Sequence, residues 1–379
     1  MPPTPTITPT VTPTITPTIT AAVIVYNRVA LIARALDSIL AQTTPVTEIV
    51  VVDDGSTDGT ADLVAQRYGD RVRLIRQPNG GVSAARLRAL TEARGEWLAF
   101  LDSDDEWTEG RNAAFLRAAQ HVPPEVQWIF GDCAIMTDAG ETGRLFRDKG
   151  FSVHSPHSPH GPHGPHGPQG PHTDPEVFQD PMATQFPYQF SIMPASLIRC
   201  AALRQVHAFT EGLRSSEDLL AGWKVAALFP GRPLAAIPHV VTRVYRDSSL
   251  LATSTDVTGK QSPDYYHARV IGFDLLARSN RPPTTAPGEP SWGRLHADAV
   301  RRWCIRLADS NTPTPRRHPF PLALAQFKHS LTPKAAAFLP FTLLGRPGVK
   351  LWKSMTERRD RRTAQRSKPV DPMAFSVKS

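Results

Sequence analysis

Short apolar runs that stop on polar turns alternate with stripes of helical period through the first third of the chain. Ala21 to Val25 form the first run, which ends in Tyr26, Asn27 and Arg28. In VALIARALDSILAQ, Leu31, Ile32, Ala35, Leu36, Ile39 and Leu40 share one helical face. Ile49 to Val52 are apolar without interruption, the pattern of a strand covered on both faces in a parallel sheet, and the run stops at Asp53 and Asp54. The turn GSTDGT supplies a glycine for the bend, and Ala61, Val64 and Tyr68 continue on a second helical face. A strand VRLIRQ, a glycine loop feeding a helix in PNGGVSAARLRALTEA, a strand WLAFL before DSDDEW, and a helix around Asn112 to Gln120 complete the series. Such alternation to about residue 136 predicts an α/β fold, a mostly parallel central sheet with helices on both faces.

Outside this region the pattern changes. MPPTPTITPTVTPTITPTIT removes a backbone donor every few residues, so residues 1–20 are expected to form a disordered Thr/Pro tail. A histidine, proline and glycine repeat fills residues 151–175, which read as a flexible, partly polyproline insertion. Order is expected to resume by about Met182. A helix opening at Ser215 or Ser216 has acids in its first turn, and HVVTRVYR reads as a strand. The division expected is thus 21–150 and 176–260 as two halves of one α/β domain, with 261–379 a helical C-terminal region ending in a basic tail.

Composition narrows the class. The formal net charge is +8, much of the excess lies near the C-terminus, and no aromatic platform or nucleic-acid motif accompanies it; no nucleic-acid partner is expected. Cys133, Cys200 and Cys304 are far apart and contain no CxxC pair, which suggests neither a disulfide framework nor a zinc site. No apolar run approaches the roughly 18 to 20 residues of a membrane span. A cytoplasmic protein is expected, with peripheral contact at the inner face of the plasma membrane through its tail.

Ligands of open α/β sheets bind beyond the carboxyl ends of strands, which is where DD and DSDD fall. Asp102 and Asp104 lie two residues apart at a strand exit, and the period of two in extended chain turns both the same way. Two hard oxygen ligands suit Mn²⁺ or Mg²⁺, whose shells are typically completed by phosphate oxygens and water. Neither stretch has the spacing of an EF-hand loop. The first strand is followed by YNRVAL instead of the glycine fingerprint of a dinucleotide site.

Taken in order, VIVYNR, VVVDDGSTDGT, NGGVSAAR, RGEWLAFLDSDDEW and RSSEDLL resemble the inverting family 2 glycosyltransferases with a GT-A, Rossmann-like fold. The resemblance implies a nucleoside-diphosphate sugar donor, with UDP foremost, a divalent cation, and inversion at the anomeric carbon. It further implies a glycan or lipid-linked acceptor, in cell-surface polysaccharide or glycolipid synthesis. By position it makes Tyr26 and Asn27 the edge of the nucleobase pocket, Asp54 the base-reading carboxylate and Asp53 its companion. Asp104 would be the principal metal ligand, with Asp102 nearer the ribose or a metal-bound water. Asp218 would be the general base and Glu217 its neighbour. Asn79, Gly80 and Gly81 let the backbone approach a ligand and leave N–H groups at a helix start for an anion. Arg86 either reaches phosphate or lies on a wet helix face.

The chain departs from the family pattern at Ile24, where proline is usual, at Leu87, where asparagine often follows the arginine, and at Asp247 and Ser248, where a histidine often stands. Those departures bear on donor positioning and keep a second reading open, a degenerate nucleotide-sugar-binding protein. A third is a membrane-surface scaffold in which Phe338, Leu339, Phe341, Leu343, Leu344, Leu351 and Trp352 dip into headgroups while Arg358 to Arg362 face anionic lipid.

Overall fold

The structure, a computed structural model, describes residues 17–148, 153, 175–178, 192–209, 216–229, 231–246, 268–271, 300–302, 304–305, 333–343 and 345–366. The histidine-rich repeat, Ser215, Leu344, Asp247 and Ser248 lie outside the described residues. The chain divides into two compact units, one of residues 1–212 with 217–251 and one of 213–216 with 252–379.

In the first unit β1 (Ile19–Val25) leads to α1 (Ile32–Leu40), β2 (Glu48–Asp53), α2 (Thr60–Tyr68), β3 (Arg73–Arg76), α3 (Val82–Glu92) and β4 (Trp97–Asp102). The short β5 (Glu106–Trp107), α4 (Arg111–His121), β6 (Trp128–Thr137), β7 (Gly140–Arg144) and α5 (Leu145–Asp148) follow. After them come β8 (Glu176–Val177), β9 (Ser196–Arg199), α6 (Cys200–Gln205), α7 (Glu217–Leu228) and β10 (Leu234–Tyr245). The strands form one sheet in the order β3-β2-β1-β4-β9-β6-β10-β5, with β7 beside β6 and β8 beside β10. Ladders β3-β2-β1-β4 and β6-β10 are parallel. Between them β9 runs antiparallel to both neighbours, a strand absent from the sequence reading.

Alternation in β1 explains its central place. Ile19, Ala21, Val23 and Val25 join Ile49, Val51, Trp97, Ala99 and Leu101 in one core cluster with Ile32, Leu36 and Ile39 of α1. Ala22, Val50, Val52, Leu98 and Phe100 are equally buried on the opposite face. Ile19 and Thr20 are ladder residues, so β1 begins inside the segment expected as tail; Thr20 pairs with Glu48 and Leu98. β-branched threonine and isoleucine suit a strand as soon as the prolines cease.

The described residues of the second unit include α8 (Pro333–Leu343) and α9 (Gly345–Arg366). Phe338 and Phe341 pack on Trp352, with ring centroids 5.5 and 5.1 Å apart. Among the described residues no helix is long and apolar enough to cross a membrane.

Candidate active site

Strand register brings two acidic exits level with each other. Asp53 pairs with Val25 on one side of β1, and Asp102 pairs with Ile24 on the other. Adjacent strands lie about 4.8 Å apart, so the two backbones are separated by about 10 Å with β1 between them.

The first exit is closed on itself. Asp53 is fully buried; its Oδ1 accepts the Ser56 N–H at 3.0 Å, and its Oδ2 lies 3.3 Å from the Arg76 Nε. Asp54 accepts from Gln77 Nε2 at 2.7 Å, from the Gly80 N–H at 2.9 Å and from the Gly81 N–H at 2.7 Å. The expectation that this helix start presents free N–H groups to an anion is therefore corrected at Gly80 and Gly81, whose donors are taken by Asp54. Close approach occurs here within the protein. Gly55 has φ +83°, and a side chain there would put its Cβ 2.9 Å from the Asn79 backbone nitrogen. Asn27, at φ 51°, ties the end of β1 to the same turn: its N–H donates to Ser56 Oγ at 2.9 Å and its Oδ1 accepts from Thr57 N–H at 2.8 Å. Tyr26 and Asn79 are exposed beside this knot.

The second exit is open. The side chains of Asp102 and Asp104 are 39% and 31% exposed. Burial, and after it the charge of Asp102, push the Asp104 carboxyl above the ordinary aspartate range. Arg28 Nε approaches Asp104 Oδ2 only to 4.0 Å, and Arg34 donates to the Asp104 backbone carbonyl while its guanidinium lies 3.7 Å from the Tyr245 ring centroid. Asp105, which sequence reading passed over, is buried and accepts the Tyr245 N–H at 3.0 Å; burial and the charges of Asp102 and Asp104 hold its carboxyl well above the usual range. The third carboxylate of the run was visible, but its partner lies on β10, far along the chain.

Arg86 connects this exit to α7. It is buried in α3, not on a wet helix face, and its guanidinium lies 5.6 Å from the Phe100 ring centroid. Nη2 donates to Asp102 Oδ1 at 2.8 Å, and Nη1 donates to Glu217 Oε1. Burial pushes Glu217 up to about 7 although Arg86 pulls the other way; Asp218 adds a like charge. Asp218 is half-buried, with Oδ1 accepting the Leu219 N–H at 2.7 Å, and burial raises its carboxyl as well. The helix N-terminus favours negative charge at both positions.

Arg86 thus draws Asp102 and Glu217 together, with Asp104 following Asp102 and Asp218 following Glu217, whereas Tyr26, Asn27, Asp53, Asp54, Asn79 and Gly80 gather at the other side of β1. Among the described residues no group of three or more His, Cys, Asp or Glu side chains is arranged to hold a metal ion by itself. Two open carboxylates, of which Asp102 raises the proton affinity of Asp104, nevertheless fit a cation whose remaining ligands come from a phosphorylated substrate.

The profile of the family described as Glycosyl transferase family 2 matches residues 20–137, which hold both strand exits and Arg86. A putative teichuronic acid biosynthesis glycosyltransferase, TuaG of Bacillus subtilis, is 39% identical over 89 residues, 23% of this chain and 35% of that protein. The succinoglycan biosynthesis protein ExoO of Rhizobium meliloti is 49% identical over 81 residues, 21% of this chain and 23% of its own length. The chain is thus matched over about a quarter to a third of these relatives. The crystal structure of S. aureus TarS 1–349 in complex with UDP-GlcNAc covers 91% of this chain and 92% of that one, with 17% identity and a TM-score of 0.52, a likeness of fold. With a mixed sheet whose first four strands are parallel and two acidic exits flanking β1, residues 20–137 match glycosyltransferase family 2, on a GT-A-like fold.

Proposed function

We propose that the chain transfers a sugar from a nucleoside-diphosphate sugar, a UDP-sugar foremost, to an acceptor hydroxyl with inversion, in cell-surface polysaccharide or glycolipid synthesis. The observation that carries this reading is the pair of unlike acidic groups joined by Arg86: open carboxylates at the exit of β4, and the buried Glu217 with the half-buried Asp218 at the start of α7. Names of the relatives support the biosynthetic setting, and the UDP-GlcNAc complex of TarS supports the donor class.

In this reading the nucleoside lies over the closed exit, bordered by Tyr26, Asn27, Asp53, Asp54, Asn79 and Gly80. The diphosphate lies over the open one, about 10 Å away across β1. Asp104 with Asp102 would hold Mn²⁺ or Mg²⁺. Such a cation supplies charge stabilisation to a departing diphosphate without proton transfer. Asp218 accepts the proton of the attacking hydroxyl, and Arg86 fixes Glu217 beside it. A base must be deprotonated to act, and burial raises Asp218, so kcat/KM falls with decreasing pH through a value above the ordinary 3.8 of aspartate.

A nucleotide-release screen over UDP-, GDP- and dTDP-sugars with Mn²⁺ or Mg²⁺ tests the activity and the donor together. Binding without release from any donor would replace this reading with the degenerate one. Asp218→Asn is expected to keep donor affinity within about threefold while transfer falls about 10²- to 10⁴-fold. Normal transfer by that variant would remove Asp218 from the mechanism.

A further inference from the structure

The C-terminal helix pair offers a surface that glycosyl transfer does not use. Expected anchors are inside it: Phe338 is fully buried against Trp352, and Val349 is buried on the same side of α9. Phe338 therefore holds α8 to α9 and is not free to enter headgroups, while Phe341 and Trp352, which pack with it, are partly exposed. What α9 exposes instead is Leu351 and Met355, at 51% and 52%, one helical turn apart.

Helical periodicity carries that line of positions onward. Positions 358 and 362 fall seven residues beyond 351 and 355, and both are arginine. Glu357 and Asp360 fall on other sides of the helix by the same spacing. Across its whole length α9 has eight basic residues against two acidic ones, in a chain whose formal net charge is +8. An exposed apolar pair on a helix whose next positions along the same line are arginine fits the chemistry of a helix lying in a membrane interface, where methylenes enter the acyl boundary and cationic groups meet anionic headgroups. A second copy of the chain fits poorly, because two such helices would bring their positive charge together. A soluble polyanion would use the arginines but leave Leu351 and Met355 without a role.

We propose that α9 docks flat on an anionic lipid surface through Leu351, Met355 and the arginine stripe that follows them. This inference is independent of the transferase reading, since it concerns partition and not turnover. It also gives the enzyme proposed above access to acceptors carried on lipid.

The test is flotation of the full chain with vesicles of phosphatidylcholine alone and of phosphatidylcholine with 30 mol% phosphatidylglycerol. Partition onto the anionic vesicles is expected to exceed that onto the neutral ones at least tenfold and to fall severalfold in 0.5 M salt. The combined variant R358Q/R359Q/R361Q/R362Q should lose about tenfold or more of the anionic partition. L351S/M355S should lose severalfold at unchanged charge, and both variants should keep nucleotide release. Equal partition of the wild-type chain onto both vesicles overturns the proposal. So does retention on a polyanion column together with no flotation, which would assign the stripe to a soluble polymer. Wild-type flotation that neither variant reduces would move the contact to another surface.

Discussion

On either side of β1 a parallel strand ends in neighbouring acidic residues, and the two pairs meet opposite surroundings. Asp54 faces three donors supplied by Gln77, Gly80 and Gly81, and Asp53 is capped by Ser56. Asp102 and Asp104 share one direct guanidinium hydrogen bond to their carboxylates, and Asp104 is pushed toward protonation. The same feature in sequence is a knot at one exit and an unfilled electrostatic demand at the other. What separates them is the next loop. After β3 the chain returns with a glycine pair whose N–H groups close on Asp54, while after β4 it turns into two further carboxylates.

The largest effect should follow from breaking the open exit. Asp104→Ala is expected to lower kcat/KM more than 10³-fold at saturating metal, about 4 kcal/mol of transition-state stabilisation. Its effect on folding should have the opposite sign. A carboxyl whose proton affinity is higher in the folded state adds stability only below its unfolded value and loses it as pH rises through the folded one, so at pH 7 its removal relieves the fold. Melting in EDTA should therefore be unchanged or higher in the variant. Activity within tenfold of the wild type, or a marked drop in melting temperature, would make this exit structural too.

The closed exit predicts the reverse. Asp54→Ala strands donors that a carboxylate now satisfies; hydrogen bonds to charged groups contribute roughly 1.5–3 kcal/mol each, and water recovers part of this at the exposed loop. A loss of about 2–4 kcal/mol in urea unfolding is expected, with Asp54→Asn in between because the amide offers one acceptor oxygen. A stable Asp54→Ala protein whose donor affinity collapses would show Asp54 to be a ligand contact first.

This contrast also marks what could be read without the structure. Ala21 to Val23 with Val25, Ile49 to Val52 and Trp97 to Leu101 are buried on both faces, and uninterrupted apolar runs report that directly. The acidic residues at their ends were equally plain. Their environments were not, because Gly80 and Gly81 reach Asp54 through a loop, and Glu217 reaches Arg86 from a helix in another part of the chain. Strand β9 escaped for a related reason: four residues, Ser196–Arg199, have too little length to set a period, and their neighbours in the sheet are β4 and β6. Arg86 sits in AARLRAL among small and charged residues, where local periodicity does not distinguish a wet face from a buried ion pair.

The smallest effect should come from the rim of the closed exit. Arg76 is aligned with Asp53 across the β2–β3 ladder and is the cation nearest its Oδ2, yet the arginine side chain is 59% exposed while the aspartate is buried. Two magnitudes compete. Leaving a buried carboxylate without its partner can cost 3–5 kcal/mol, whereas an exposed ion pair contributes at most about 1 kcal/mol. The second should prevail, because water and salt screen the arginine end and the Ser56 N–H remains on the other oxygen. Arg76→Gln is accordingly expected to lower stability by less than about 1 kcal/mol, with the difference shrinking further in 0.5 M salt. A loss above about 2 kcal/mol that persists in salt would mean that Asp53 depends on Arg76 and that the knot closes with strand β3 as well as with the loop beyond it.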